Sequence, residues 1–101
     1  VEKLINTYVG TDDRLVQKEP SYIYWLVLSP KTIGTAAEIR IYDGFSTGGK
    51  EVLRIKLAYS RNVNFQPPIN CEQGIYVECV DAFDSYTVAY AAKKWQQAEN
   101  N

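Results

Sequence analysis

Short apolar runs of period two, each closed by turn residues, recur along this chain about every ten residues, the cadence of a sandwich or small barrel of antiparallel strands. The runs are "DRLVQK", "SYIYWLVLS", "AEIRIYD", "EVLRIKLA", "RNVNFQ", "GIYVECV" and "SYTVAY". In "EVLRIKLA", Leu53, Ile55 and Leu57 alternate with Arg54 and Lys56, the pattern of a half-buried strand. "SYIYWLVLS" is apolar on both sides, with Ile23, Trp25 and Val27 facing one way and Tyr22, Tyr24, Leu26 and Leu28 the other; such a strand is central or covered. Glu19-Pro20 separates it from the run before, Pro67-Pro68 reads as a firm strand end, and "DAFD" reads as a type I turn between the last two strands. The expected fold is an all-β antiparallel sandwich or small barrel in one domain. Residues 13–90 form its β core, and residues 1–12 an arm or short helix in which Leu4, Ile5, Tyr8 and Val9 have helix-like spacing. Residues 91–101, "AAKKWQQAENN", are good helix formers with Ala91, Ala92, Trp95 and Ala98 on one face, so a short C-terminal helix is expected there.

Composition narrows the function. The 101 residues suit a single domain with a modest core and little spare surface for a deep active site. Eleven basic against twelve acidic side chains leave a net charge of −1, which argues against nucleic acid as a partner. No apolar run approaches the ~20 residues that span a bilayer, so no membrane partner is expected. Val1 comes first and Met is absent throughout, which reads as a processed or partial chain and leaves a preceding targeting segment open. Cys71 and Cys79 are the only cysteines, and Cys79 shares the parity of Ile75 and Val77. They read as reduced thiols of a protein assembled in a cytoplasm. With no His, zinc lacks a ligand set and the usual Ser–His and Cys–His nucleophile pairs are excluded.

The loop "GFSTGGKE" has the glycine and lysine spacing of a phosphate-binding loop, but Glu51 stands where a Mg²⁺-binding hydroxyl belongs and a strand pattern follows in place of a helix. It reads as a hairpin whose glycines supply positive φ. Asp81 with Asp84, and Asp12 with Asp13, could suggest a carboxylate pair or a calcium loop; without Gly-centred spacing they read as turns whose side chains cap backbone amides. Tyr22, Tyr24, Tyr76, Tyr86 and Tyr90 could make a platform for sugars or single strands, with Arg54, Lys56 and Arg61 adding charge. All five tyrosines fall on expected strands, where core or subunit interface is the ordinary home of an aromatic. No catalytic residue, cofactor or metal is expected. The candidate interface residues are Leu4, Ile5, Tyr8 and Trp95, apolar groups outside the expected sheets.

The succession "IYDGFSTGGKEVLRIKLA", "VNFQPPI", "GIYVECV" and "YTVAY" resembles a group of small β-sandwich proteins encoded among the structural genes of tailed phages. The matching stretches are Ile41 to Gly44, Ser46 to Lys50, Val63 to Pro68, Gly74 to Val77 and Tyr86 to Tyr90. The resemblance implies a non-enzymatic virion component, a capsid decoration or other head or tail accessory subunit, assembled in the host cytoplasm. Its partners would be its own copies or capsid and tail proteins. The N-terminal arm and the helical tail depart from that pattern. Two alternatives stay open: a ring of Sm-like small barrels that binds RNA, and a carbohydrate-binding β-sandwich module.

Overall fold

A computed structural model of the chain describes residues 5–31, 34–80 and 83–93. It is all-β: β1 (Asn6–Gly10), β2 (Arg14–Gln17), β3 (Ser21–Pro30), β4 (Ala37–Asp43), β5 (Lys50–Leu57), β6 (Arg61–Cys71), β7 (Ile75–Cys79) and β8 (Phe83–Ala92). The strands form two antiparallel four-stranded sheets, ordered β1-β8-β3-β6 and β2-β7-β4-β5. Every connection except the β4–β5 hairpin carries the chain from one sheet to the other. The first and last strands are neighbours, paired from Asn6 opposite Tyr90 to Gly10 opposite Tyr86.

The core fills the space between the sheets. Ile23, Leu26, Leu28, Tyr86 and Val88 reach in from the first sheet, and Ile39, Ile41, Ile75 and Val77 from the second, all fully buried. Each such side chain contributes about 1.5–3 kcal/mol of burial, so this layer dominates stability. At one end Gly10 is packed against Tyr86: a Cβ there would lie 2.5 Å from the Tyr86 hydroxyl and 2.7 Å from the Tyr8 ring.

Several expectations give way to tertiary pairing. In β3 the buried set is Ile23, Leu26 and Leu28, and Trp25 and Val27 fall on the opposite side. A bulge at Tyr24 causes this: Ile23 pairs with Tyr90 and Trp25 with Ala89, so two residues of β3 face one of β8 and the phase of alternation switches. Pro67-Pro68 does not end β6, which runs on to Cys71. On an edge strand the missing N–H costs nothing, and residues 65–68 bulge out opposite Tyr24, where the Gln66–Pro67 peptide is cis.

The arm is a strand and not a helix from Asn6 to Gly10, because β8 offers those five residues a complete ladder. Ala91 and Ala92 likewise close β8, pairing with Tyr22 and Ser21, and the Lys93 amide donates to the Pro20 carbonyl at 2.9 Å. Ladder pairing there outweighs helix propensity. The rest of the expected helix, residues 94–101 with Trp95, lies outside the described residues, as do Leu4 and residues 81 and 82 of the expected "DAFD" turn.

The hairpin is confirmed, but for a different reason: none of its glycines has positive φ. They permit close approach, since a Cβ on Gly49 would meet the Asp43 carbonyl oxygen at 2.7 Å and one on Gly44 the Gly49 Cα at 2.9 Å.

Candidate functional site: a charge-free sheet face and its edge

The strands of the first sheet contain only two charged residues, Arg61 and Asp84, each within the first two positions of its strand. Register assigns the outward face. Paired residues share a side, and Val88 points into the core. Thr87 and Ala89 therefore point out, together with their partners Val9 and Val27, and Thr7 and Trp25. Farther along, Ala91 points out beside Tyr22. On edge strand β6 the same rows end in asparagine: Asn62 beside Val27, Asn64 beside Trp25 and Asn70 beside Tyr22, all three exposed. Val9 is 63% exposed, and Ile5, just before β1, is 45% exposed. At the end of β8 the Lys93 ammonium lies 5.2 Å from the Tyr22 ring centroid and 3.0 Å from Glu72. This face offers aromatic, aliphatic, hydroxyl and amide groups, and among the described residues its charged groups are the Lys93–Glu72 pair at the Tyr22 end.

The outward face of the second sheet is the opposite in character. Glu78, Arg40 and Arg54 form one cross-strand row, with Glu38 and Lys56 in register beyond it. Arg40 donates to Glu38 at 2.5 Å and Arg54 to Glu51 at 2.8 Å. Tyr42 donates to Glu78 at 2.8 Å, and that bond, with burial adding to it, pushes its phenol up from the ordinary value. Of the basic side chains weighed for a binding platform, Arg54 and Lys56 thus lie on the other sheet from Tyr22, and Arg54 is already ion-paired; Arg61 is on the same sheet, at the start of edge strand β6 opposite Leu28.

Asp12 and Asp13 do structural work, and Asp81 lies outside the described residues. Asp13 accepts from the Cys79 amide at 2.8 Å, and the Asp12 carbonyl accepts from the buried Tyr86 hydroxyl at 2.9 Å. Among the described residues no group of three or more His, Cys, Asp or Glu could hold a metal. Cys71 and Cys79 are free. Burial, reinforced by Asp43, pushes the Cys71 thiol up to about 12, and burial with Asp13 and Asp12 pushes Cys79 up to about 11. Both stay protonated at neutral pH, which leaves no nucleophile there. Lys50 opens strand β5 with no helix after the glycine loop, so the phosphate-binding geometry is absent.

Of the residues expected at an interface, Ile5 is exposed beside the charge-free face, whereas Tyr8 is turned inward, its ring centroid 6.2 Å from that of Tyr86. Of the five tyrosines, Tyr86 is fully buried, Tyr90 packs against the core and Tyr76 lies opposite Tyr42 on the second sheet. Val9, Trp25, Val27 and the asparagines escape a reading by residue type. The signal for Val9, Trp25 and Val27 is the lack of charge in "NTYVG", "SYIYWLVLSP" and "SYTVAYAA", three runs that the topology makes adjacent; the asparagines lie on β6, the next strand of the same sheet. Comparison of the chain with protein families, with curated proteins and with solved structures finds no match. Among the described residues no helix is long and apolar enough to cross a membrane.

Proposed function

We propose that this protein is a non-enzymatic subunit that acts by self-assembly, in the manner of the capsid decoration and head or tail accessory proteins of tailed phages, which the order of its motifs resembles. Its place of action would then be the virion, after assembly in the host cytoplasm. The observation that carries the reading is the outward face of the β1-β8-β3-β6 sheet, whose strand residues are uncharged, with the Lys93–Glu72 pair only at the Tyr22 end, in a chain where 23% of residues are charged. Depletion of charge, with aromatic and aliphatic groups in its place, distinguishes the centre of an interface from ordinary surface. Val9, Val27 and Trp25 supply the apolar part, and the threonines and asparagines supply neutral hydrogen bonds.

Sedimentation velocity and light scattering over rising concentration should show assemblies larger than a pair. Thr87→Glu sets a carboxylate among Val9, Val27 and Ala89. It should weaken that association about tenfold or more with little change in thermal stability. A chain that stays monomeric at every concentration would sink the reading.

One observation favours a second reading. Trp25 beside Asn64 pairs a flat ring with an amide, as a carbohydrate-binding module would require, whereas at Tyr22 and Asn70 Lys93 covers the ring and Glu72 accepts from the amide. Titration with neutral oligosaccharides, followed by tryptophan fluorescence, decides it: saturable binding lost in Trp25→Ala supports this reading, and no change in emission removes it. No observation here favours the RNA-binding ring.

A further inference from the structure

We infer that β1 is the edge through which two copies of this chain join, antiparallel, to make one continuous eight-stranded sheet; the inference rests on the assembly reading and names its first contact. A sandwich of two open sheets has four edge strands, each a row of unpaired backbone groups able to recruit another strand. Here they are β1 and β6 on one sheet and β2 and β5 on the other.

Three of the four are blunted. Edge β2 is only four residues long, and its register breaks between Leu15 and Gln17. Edge β5 carries exposed Lys50, Glu51, Arg54 and Lys56 and a register break opposite Ile41 and Tyr42. Edge β6 begins with Arg61 and is interrupted by the bulge that contains Pro67 and Pro68. Charges, proline, bulges and shortness are the means by which proteins keep edges from pairing.

Edge β1 has no charge, proline or bulge, and is one residue longer than β2. Its five residues, Asn-Thr-Tyr-Val-Gly, carry no charge and no proline, and their register with β8 is unbroken from Asn6 to Gly10. In an antiparallel ladder alternate residues turn their N–H and C=O away from the existing neighbour, and among the described residues β1 has no other strand partner than β8, so it presents these pairing groups on its outer side.

The partner that fits is a second β1. Pairing about a two-fold axis brings a strand against its own sequence, and with no charge in β1 no like-charged pair arises. With Tyr8 on the axis, Thr7 of each copy lies opposite Val9 of the other, which covers the most exposed apolar side chain of the sheet. Because the other three edges are guarded, edge pairing stops at two copies. The two charge-free faces then become one, doubled in width.

The test uses the full chain. At high concentration a species of twice the 11.5 kDa monomer mass is expected. Hydrogen exchange of residues 6–10 should slow at alternate amides when the pair forms. Thr7→Lys combined with Val9→Lys places lysines opposite each other across the axis at two exposed positions. This double variant should melt as the parent does, dissociate the pair by at least tenfold and restore fast exchange, whereas Thr87→Glu should leave the pair intact. A pair that forms with β1 amides exchanging as in the monomer, or that ignores the lysines, overturns the edge while leaving assembly through the face standing. A chain that is monomeric throughout overturns both.

Discussion

Asp43 ties together two turns that lie far apart in sequence. From the end of β4 its carboxylate accepts the amides of Glu72, Gln73 and, more weakly, Gly74, at 2.8, 2.7 and 3.4 Å. This gives the Tyr-Asp-Gly motif a physical meaning: the Asp holds the β6–β7 turn against the hairpin, and the glycine lets the hairpin close. Burial pushes the Asp43 carboxyl up, but the three amides and the nearby Lys93 together outweigh it and hold the group below its ordinary value of 3.8. A carboxylate whose folded pKa is depressed contributes stability that is fully present above its unfolded pKa and is lost as pH falls through the folded one. Asp43→Asn should therefore cost about 1.5–3 kcal/mol at neutral pH, the range for hydrogen bonds to a charged group. In urea titrations the gap between parent and variant should narrow as pH drops below about 4. A gap that is constant with pH would mean that packing, and not the charge, is what Asp43 supplies.

Among the elements, β3 shows how far alternation can be read from sequence alone. Its existence and its central place were legible, because ten residues without charge must be covered. Its faces were not, since the extra residue at Tyr24 follows from how β6 and β8 pair with it, and no local pattern announces a bulge. If Tyr24 is that extra residue, deleting it should join Ile23 and Trp25 in step with Tyr90 and Ala89, and the protein should still fold, losing about 1–3 kcal/mol. Deleting Val27 instead moves Leu28 off the core face and should abolish the cooperative melt. Equal tolerance of both deletions in thermal unfolding would refute this assignment of the bulge. The β4–β5 hairpin was legible for the converse reason: its turn and both flanking runs are contiguous, so sequence and structure carry the same information. Ala91 and Ala92 looked helical because propensity is local, whereas the Tyr22 and Ser21 partners that make them a strand are some seventy positions away. The candidate face was hidden in the same way: each uncharged run is visible, but only the strand order sets them side by side.

For the molecule as a whole, the chain alternates between sheets at every connection but one, so almost no strand can pair until distant segments meet. Such topologies fold slowly for their size, in milliseconds to seconds. Stopped-flow refolding in that range is expected, and a microsecond phase that recovers the whole signal would contradict it. The self-assembly proposed here belongs to this scale as well, because the charge-free face exists only once β1, β8, β3 and β6 have come together. The pairing of β1 with β8 has a further, mechanical meaning. Asn6 and Tyr90 stand side by side where the first strand begins and the last one nears its end. A force that pulls these two ends apart loads their hydrogen bonds one after another, like a zip, and never the whole ladder at once in shear. Tension between the ends should peel β1 away at low force and leave the remaining strands folded, whereas a pull between β1 and the β4–β5 hairpin would have to break the sandwich itself.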